Sequence, residues 1–529
     1  MKVVFLAIKI TKYGGNQMST LEKINELTHL RQNIEVGGGE AAIKKLQSEG
    51  KKTARERIFD LLDDNSFVEI GAFVKHRNTD FNLSNKETPA DGVVTGYGTV
   101  EGRLIFVYSQ DVSVLGGSVG EMHAKKIVKI YEQAMQMGAP IVGLLDSRGL
   151  RLQEGVDALQ GYGEVFMKQT LASGVIPQVI AVLGDCAGGA AFSAGLADFV
   201  FMTDKNARLF VNSPNTMKEK EANFDRISSA KIHASISGIV QFVHDTEDEC
   251  FGAIRNLIEY LPSNNLEDAL FFDSSDDLNR ISEELNTIIP NENKENFDVS
   301  VIIQTIADDN KMMQVSELFA KNLFTGFIRL NGMSIGVIAN QSIEQDGFLD
   351  TNACKKGAKF IRFCDCFNIP ILSLTDVGGF TSSVEEEKQG IVKETSKLLH
   401  AFAHATVPKV NLVLRRAFGS AYVVMNSKHI GADIVYAWPT AQIAVMNAEA
   451  AVNIMYQEEL LTSDNPEVLR EEKIEEFSNL QASPYTAASR GYIDDIIEPA
   501  ATRKRVIAAF EMLFSKRELR PSKKQSTLM

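Results

Sequence analysis

The chain contains the same pattern of segments twice, at an offset of about 230 residues. Residues 140–149 read PIVGLLDSRG and residues 370–379 read PILSLTDVGG, so an apolar strand that ends in Asp and Gly occurs in both halves. Further along, IPQVIAVLGDCAGGA at 176–190 corresponds to VPKVNLVLRRAFGSA at 407–421. A period this long indicates duplicated domains and not a solenoid. Two similar domains imply two similar pockets, which suits a reaction that must hold two different groups.

The size of the chain agrees with this division. At 529 residues it exceeds what one hydrophobic core usually organises. From Asp91 onward, short β-rich runs alternate with helical segments, which indicates an α/β fold class. We expect an N-terminal domain at 19–275 and a C-terminal domain at 276–518. The remaining segments are predicted to be a disordered or misassigned N-terminal extension at 1–18 and a polar tail at 519–529.

Charge and cysteine usage exclude several classes of function. A net charge of −14 opposes a general phosphate-binding surface, so we expect no nucleic-acid partner. The five cysteines are scattered without a C-x-x-C pair, and the histidines are not spaced as ligands, so we expect neither a disulfide framework nor a metal site. The reduced cytoplasm is the expected location.

The strongest candidate site is a strand-to-helix turn, GDCAGGAAFSAGLAD at 184–198. The pair Gly188-Gly189 lets the backbone approach a ligand closely, and the first N–H groups of the following helix have no intrahelical partner. Such N–H groups can stabilise a developing oxyanion. Tight packing alone would explain one isolated Gly-Gly turn. The turn recurs, however, as RRAFGSAYVV at 415–424, which favours a functional interpretation.

A second main-chain donor can come from the end of the preceding strand in each copy. These segments read DSRGLRLQEG at 146–155 and DVGGFTSSVE at 376–385. Two loops per copy, each offering one N–H group, would form an oxyanion pocket. Ordinary turn glycines remain the alternative interpretation of these two loops.

At these segments the chain closely resembles the acyl-CoA carboxyltransferases. The resemblance covers residues 19–518 in family order, and its motifs are ARERIFDLLD, DGVVTGYGTVEGR, GGSVGEMHAKKI, DSRGLRLQEG, GDCAGGA, VIANQ, FCDCFNIPI, HATVPKV and YAWPTAQIAVM. It implies two tandem crotonase-like domains, each a spiral of ββα units. It also implies a homo-oligomer, commonly a hexamer, in which the N-domain of one subunit meets the C-domain of another at the active site.

The resemblance assigns a different ligand to each copy. The N-terminal copy would bind the acyl-CoA thioester and stabilise its enolate, and the C-terminal copy would bind biotin and stabilise its ureido oxygen. Chemistry of this kind needs no side-chain base, because positioning and backbone dipoles can carry the rate. The candidate catalytic positions are Gly149, Leu150, Gly188 and Gly189 in the first copy and Gly379, Phe380, Ser420 and Ala421 in the second.

Five further side chains are candidates for binding the two ligands. Arg55, Arg57 and Lys125 are basic residues near the first pocket and suit the phosphates of coenzyme A. Val423 stands where many family members have an Asp near the acyl pocket. Trp438 could line the biotin pocket. A solvated surface charge or simple packing is the alternative role for each of them.

Biotin itself is not expected on this chain. Attachment sites typically have an Ala-Met-Lys-Met hairpin, and Met167-Lys168 and Met217-Lys218 lack those neighbours. An ATP-grasp-like domain and a transmembrane segment are not evident either. The resemblance therefore implies biotin on a separate biotin carboxyl carrier protein and a coenzyme A thioester as substrate. The further partner would be a biotin carboxylase subunit or a membrane decarboxylase subunit.

These inferences predict a carboxyltransferase subunit that acts on a short-chain acyl-CoA, with propionyl-CoA and methylmalonyl-CoA as the leading pair. One alternative is the α subunit of a sodium-pumping acyl-CoA decarboxylase. Another is a catalytically silent acyl-CoA-binding or assembly subunit, because DSRGLR, DVGGF and GSAYVV depart from the usual family motifs. A crotonase-type hydratase is a further alternative, but it would leave the second copy unexplained.

Overall fold

The computed structural model describes residues 18–219, 223–290, 295–518 and 520. Residues 1–17 of the predicted extension, and the tail apart from Arg520, lie outside the described residues. The strands are β1 (Val68–Glu69), β2 (Val93–Val100), β3 (Arg103–Gln110), β4 (Ile141–Ser147), β5 (Gln178–Ala187), β6 (Phe199–Thr203), β7 (Arg208–Phe210), β8 (Phe242–His244), β9 (Met312–Gln314), β10 (Leu323–Leu330), β11 (Met333–Asn340), β12 (Ile371–Val377), β13 (Lys409–Phe418), β14 (Ile434–Ala437), β15 (Gln442–Ala444) and β16 (Asp495–Ile496).

The α-helices of the described ranges flank these strands. They are α1 (Thr20–Glu35), α2 (Glu40–Ser48), α3 (Ala54–Leu61), α4 (Glu121–Met137), α5 (Val156–Ala172), α6 (Ala190–Leu196), α7 (Phe224–Ile227), α8 (Ala230–Ser235), α9 (Glu247–Tyr260), α10 (Val299–Ile306), α11 (Thr351–Cys366), α12 (Val384–Gln389), α13 (Ile391–His404), α14 (Gly419–Val424), α15 (Ala448–Met455), α16 (Gln457–Thr462), α17 (Pro466–Phe477), α18 (Pro484–Ser489) and α19 (Thr502–Leu513). In the part of the chain that the structure describes, none of them has both the length and the hydropathy to cross a bilayer.

Each half of the chain folds around an eight-stranded sheet. The first has the order β1-β2-β3-β4-β5-β6-β8 with β7 paired to β5, and the second has the order β16-β14-β13-β12-β11-β10-β9 with β15 paired to β13. The hairpins β2–β3 and β10–β11 are antiparallel, whereas the pairs from β3 to β6 and from β11 to β14 are parallel. Strands β1 to β8 thus correspond in order to β9 to β16. The predicted duplication and the α/β class are confirmed.

Both sheets have an irregularity at the same place, the carboxyl end of their central strand pair. The register of β4 with β5 shifts so that Ser147 lies opposite Cys186, and the register of β12 with β13 shifts so that Val377 lies opposite Ala417. A bulge of this kind bends a strand and re-aims the residues that follow it. The segments that follow β4 and β5, and likewise β12 and β13, therefore leave their sheet side by side.

Helices α1, α2 and α3, residues 20–61, form a helical arm on the first domain. Thr53 begins α3 with a capping box, because its hydroxyl accepts from the N–H of Glu56 and the Glu56 carboxylate accepts from the N–H of Thr53. Ile58 and Leu61, on the inner face of this helix, are fully buried in the core. Burial of this apolar face is what attaches the arm to the first domain.

An apolar layer joins the two domains. Phe199 of β6 packs edge-on against Phe363 of α11 with ring centroids 4.6 Å apart, and Tyr260 of α9 stacks on Phe327 of β10 at 6.0 Å. All four rings are buried in one hydrophobic cluster that extends into both halves. The two sheets therefore share part of their core within a single chain.

The chain joins the second sheet before the predicted boundary at 275–276. The N–H of Phe272 donates to the carbonyl of Gly332 at 3.0 Å, and the N–H of Ser334 donates to the carbonyl of Leu270 at 3.0 Å. The residues from 270 onward thus already belong to the second sheet by their hydrogen bonds. The precise domain limits stay a prediction.

Candidate active site

The turn after β4 holds Leu150 with its N–H group directed away from the neighbouring segment. The N–H of Val119 donates to the carbonyl of Gly149 at 2.9 Å, and the N–H of Arg151 donates to the carbonyl of Val119 at 2.9 Å. Successive peptide groups of an extended chain point in opposite directions. The N–H of Leu150 therefore faces the other side, where β5 ends. Gly149 has φ +97°, and a Cβ added to it would lie 3.1 Å from the carbonyl oxygen of Ala187, the last residue of β5.

The turn after β5 places Gly189 at the beginning of α6. Gly188 has φ +62°, which favours glycine, and its N–H donates to the carbonyl of Phe210 at 2.9 Å. Gly189 is the N-cap residue, with no capping side chain. A Cβ on Gly189 would lie 3.3 Å from the ring of Tyr162, so the turn packs directly on that ring. Of the two predicted glycines, Gly188 shapes the turn and Gly189 keeps its N–H group for a ligand.

The second copy repeats both turns. The N–H of Leu349 donates to the carbonyl of Gly379 at 3.1 Å, and the N–H of Thr381 donates to the carbonyl of Leu349 at 2.9 Å, so the N–H of Phe380 points away from that segment. After β13, Gly419 has φ +59° and begins α14, whose first turn contains Ser420 and Ala421. The predicted catalytic positions therefore form two matching pairs of turns at corresponding sheet edges.

Each pair of turns presents main-chain donors without an acceptor. Within residues 18–219, 223–290 and 295–518, the N–H groups of Leu150 and Gly189 in one copy, and of Phe380 and Ser420 in the other, have no hydrogen-bond partner. Unpaired N–H groups at a helix N-terminus favour an anion or a partially negative oxygen. Each copy can therefore hold one oxyanion.

A buried aspartate ends the central strand just before each turn. Asp146 lies 3.2 Å from the guanidinium of Arg57, and Asp376 accepts from Arg415 at 2.8 Å and from Arg416 at 3.0 Å. Burial raises the pKa of Asp376, but the hydrogen bonds from the two arginines outweigh it and hold the pKa below its ordinary value. These carboxylates are committed to ion pairs, which fix the ends of the strands.

The two predicted arginine ligands of coenzyme A are occupied within the chain. Arg57 is 1% exposed and binds Glu247 with two hydrogen bonds of 2.7 and 2.9 Å, so the prediction that it binds a phosphate is wrong. A buried guanidinium needs such a partner. Arg55 is half-buried and pairs with Glu69 at 2.9 Å, while its Nη1 donates to the carbonyl of Ile34. Both arginines attach the helical arm to the first domain.

Lys125 and Val423 lie where a ligand can reach them. Lys125 is exposed on the first turns of α4, and its ammonium group is 2.5 Å from Glu121. Val423 is half-buried in α14, two residues after Ala421. A role for either residue in ligand binding stays a prediction.

Trp438 does not line a pocket. Its side chain is fully buried, and its Nε1–H donates to the hydroxyl of Thr502 at 2.9 Å. The ring is part of the hydrophobic cluster beneath the second sheet, where α19 also packs. The predicted contact with biotin is therefore wrong, because the indole is buried and its one N–H donor already binds Thr502.

Arg148, in the segment DSRGLR, is a further side chain at the first turn. Its N–H donates to the carbonyl of Gly116 at 3.1 Å, and its side chain is exposed. No ion pair to this guanidinium exists among the described residues. The first copy therefore carries an uncommitted positive charge beside Gly149, and the second copy has Gly378 at that place.

Comparisons with known proteins agree with this geometry. A family model described as a carboxyl transferase domain matches residues 45–528. The chain is 46% identical over 514 residues to the carboxyltransferase subunit of propionyl-CoA carboxylase from Haloferax mediterranei, covering 97% of this chain and 100% of that protein. It is 45% identical over 510 residues to methylmalonyl-CoA decarboxylase subunit alpha from Propionigenium modestum, covering 96% and 99%.

The solved structures give the same assignment. The crystal structure of transcarboxylase 12S with hydrolysed methylmalonyl-coenzyme A bound matches with a TM-score of 0.94 at 43% identity, covering 97% of this chain and 99% of that one. The predicted crotonase-like fold of both copies is confirmed. The chain therefore belongs to the carboxyl transferase family, and it is an acyl-CoA carboxyltransferase that moves a carboxyl group between an acyl-CoA and biotin.

Proposed function

We propose that this chain is the carboxyltransferase subunit of a biotin-dependent complex, with propionyl-CoA and methylmalonyl-CoA as its substrate pair. The observation that carries the proposal is the repeated pair of unpaired main-chain donors, Leu150 with Gly189 and Phe380 with Ser420. Two such pairs suit a reaction in which two ligands each develop charge on an oxygen. The names of the relatives from Haloferax mediterranei and Propionigenium modestum support the choice of a short acyl group.

In the first copy, the N–H groups of Leu150 and Gly189 hold the thioester oxygen of the acyl-CoA. Negative charge grows on that oxygen as the α-carbon becomes an enolate. Donors that are already fixed stabilise this charge without reorganisation, and one such donor contributes about 2.7–4 kcal/mol to lowering the barrier. The N-terminus of α6 adds its partial positive charge at the same place.

In the second copy, the residues fit the ureido group of biotin. The N–H groups of Phe380 and Ser420 are unpaired donors and suit its oxygen atom. Both are main-chain groups, so the serine that replaces the usual glycine at position 420 leaves the donor in place. When bound, carboxybiotin supplies the activated carboxyl group, and these residues orient it toward the acyl-CoA site.

The chain contributes positioning and dipoles, not a side-chain base. Asp146 and Asp376, near the ends of β4 and β12, are held in buried ion pairs. Burial and the neighbouring Arg151 lower the pKa of His123 well below its ordinary value, and its Nδ1 contacts the carbonyl of Asp91 at 3.0 Å. These residues support the fold around the turns and do not move the substrate proton.

The assembly completes the site in this proposal. A hexamer, the assembly described for transcarboxylase 12S, would bring the first copy of one subunit against the second copy of another. Biotin arrives on a separate biotin carboxyl carrier protein, and a biotin carboxylase subunit recharges it. The complex works in the cytoplasm.

Carboxyl transfer from a panel of acyl-CoA thioesters to biotin tests the proposal. The purified chain is mixed with biotinylated carrier domain, and propionyl-CoA release from methylmalonyl-CoA is followed beside acetyl-CoA release from malonyl-CoA. We expect the highest kcat/KM for methylmalonyl-CoA. Tight binding of every thioester without transfer of the carboxyl group would instead identify a silent acyl-CoA-binding subunit.

The α subunit of a sodium-pumping decarboxylase is the second candidate. Decarboxylase α subunits from Propionigenium modestum and Veillonella parvula are both 45% identical to this chain over 96–97% of its length, which is close to the carboxylase relatives. Fractionation of cells that contain the protein separates the two. Sodium-dependent decarboxylation in the membrane fraction supports the pump, and ATP-dependent carboxylation in the soluble fraction supports the carboxylase.

A further inference from the structure

A cavity of about 900 Å³ lies between the two domains, away from the candidate active site. Its first wall is the segment from Gly195 to Phe199, which joins α6 to β6, and its opposite wall is formed by α11 and α13. None of the eight candidate catalytic residues lines it. The volume falls within the range of roughly 300–1,000 Å³ that small-molecule sites have.

Three cations line the α11 wall. Lys355, Lys359 and Arg362 follow each other at spacings of four and three residues, so they lie on one face of the helix. Within the described ranges, none of the three makes a hydrogen bond or a salt bridge. Lys359 has exposed surface, yet burial lowers its pKa, because the surface that it exposes faces the cavity.

The acidic side chains of the cavity do not neutralise this wall. Asp365 accepts from the main-chain N–H of Thr406 at 2.7 Å, and Glu394 pairs with Lys397 at 2.8 Å. Asp198 is the remaining carboxylate, and it accepts from a main-chain N–H group at 2.8 Å. Burial raises the pKa of Asp198 to about 6. Two carboxylates, Asp198 and Asp365, thus face the three cations, so the wall keeps a net positive charge and favours an anion.

Aromatic and aliphatic side chains also contribute to the lining, beside polar side chains such as Ser237, Gln241 and Thr325. Phe199, Phe360 and Phe363 contribute their rings, and Val315 and Ala358 contribute aliphatic groups. A hydrated inorganic anion has no apolar surface to bury against these groups, so contact with them would not stabilise its binding. These side chains are at most 8% exposed, so an anion with an apolar body would gain mainly by removing its own surface from water, at about 25 cal/mol per Å² of apolar surface.

The duplication provides an internal comparison for this feature. The residues of α4 that correspond to Lys359 and Arg362 are Lys129 and Glu132, and Glu132 pairs with Lys168 at 2.8 Å. Lys129 is exposed and does not line the cavity. Helix α4 thus has lysines at the positions of both Lys355 and Lys359, and the charge that distinguishes α11 is Arg362, where α4 has an acid.

We propose that the cavity between the two domains is a second ligand site, for an organic anion with an apolar body of the size of a medium-chain carboxylate. Its head group lies against Lys359 and Arg362, and its chain lies among the three phenylalanine rings. The site is separate from the carboxyl-transfer turns, so this proposal does not depend on the function proposed above.

Binding of octanoate to the full-length protein tests the site. Isothermal titration calorimetry on the wild-type assembly is expected to show saturable binding of octanoate. We expect 1-octanol and inorganic phosphate each to bind at least about 10-fold more weakly, because octanol lacks the negative charge and phosphate lacks the apolar chain. The double variant Lys359→Met, Arg362→Met is expected to lose about 10-fold or more in affinity for octanoate. Equal binding of octanoate and octanol, or wild-type affinity in the double variant, would overturn the proposal.

Two further variants separate the site from effects on folding. Lys129→Met removes the same charge at the corresponding position of α4 and is expected to bind octanoate as the wild type does. Ser237 is an exposed residue that lines the cavity. Ser237→Phe keeps every charge but fills part of the cavity with a ring, so it is expected to block the binding of octanoate. Unchanged binding in Ser237→Phe would place octanoate elsewhere and refute the proposal. The thermal unfolding midpoint of each unliganded variant verifies that it is folded.

Discussion

The two copies of the strand-end site have the same backbone and different side chains. Leu150 and Phe380 occupy corresponding bridges, and Gly188 and Gly419 lie at corresponding positions of the turns that lead into α6 and α14, with φ of +62° and +59°. The side chains on these turns, in contrast, differ at most positions. Where main-chain N–H groups perform the chemistry, the turn geometry must be kept but the side chains are free to select the ligand. The duplication thus separates what the reaction needs from what each ligand needs.

The copies also anchor the turns differently. Asp146 is held by Arg57, which reaches it from α3, and more loosely by Lys51 at 3.8 Å, whereas Asp376 is held by Arg415 and Arg416 of the adjacent strand β13. The first site thus depends on a helix outside its sheet, and the second site is anchored within its own sheet. This difference predicts that removing one arginine lowers the free energy of unfolding more at the first site than at the second.

The largest expected effect is on stability, from Arg57→Met. The substitution leaves Glu247 as a buried carboxylate without its partner and Asp146 with only Lys51, 3.8 Å away, which costs about 3–5 kcal/mol of the free energy of unfolding. Arg416→Met is expected to cost less, because Arg415 still pairs with Asp376. Urea unfolding of both variants measures the difference. An equal loss in the two variants would show that the copies are anchored with equal redundancy.

The second-largest effect is expected for Gly149→Val, which should lower the rate of catalysis. At φ +97° a branched side chain forces the turn to shift, and the added Cβ meets the Ala187 carbonyl, so the N–H of Leu150 is displaced. We expect kcat for carboxyl transfer to fall about 100-fold or more, as for loss of one oxyanion donor. Gly39→Val is the matched control, because Gly39 has φ +96° and open space around it. If both variants lost activity equally, the effect would be general strain.

The corresponding test in the second copy is Ser420→Pro beside Ser420→Ala. Proline removes the N–H group and fixes φ at about −65°, which the first turn of a helix tolerates, whereas alanine keeps the N–H and removes the hydroxyl. We expect about a 100-fold loss of kcat/KM for biotin in the proline variant and nearly full activity in the alanine variant. A large loss of kcat/KM in Ser420→Ala would show that the serine hydroxyl, and not the main-chain N–H, is the donor that matters.

Much of this backbone was predictable from the sequence, because the turns are local. The spacing of apolar residues predicts a helix over 121–137, and α4 has those bounds. The duplication likewise predicts where both pairs of turns lie. The errors concern burial, which depends on distant segments. Arg57 has its main partner, Glu247, 190 residues away, and the donor of Trp438 is satisfied by a residue of α19. The cavity between the domains arises from tertiary packing and has no local signal.

The smallest expected effect belongs to Arg148, the side chain that distinguishes the first turn from the second. Arg148→Gly places in the first copy the residue that the second has at Gly378. An exposed charge contributes only about 0.2–1 kcal/mol to an ion pair, so we expect KM for methylmalonyl-CoA to rise by no more than about 5-fold, with kcat unchanged. Arg148→Lys should largely restore KM, and added salt should weaken wild-type binding more than that of the glycine variant. A fall in kcat without a change in KM would contradict a role in binding. It would mean that the side chain, which packs against Gly116, sets the geometry of the turn instead.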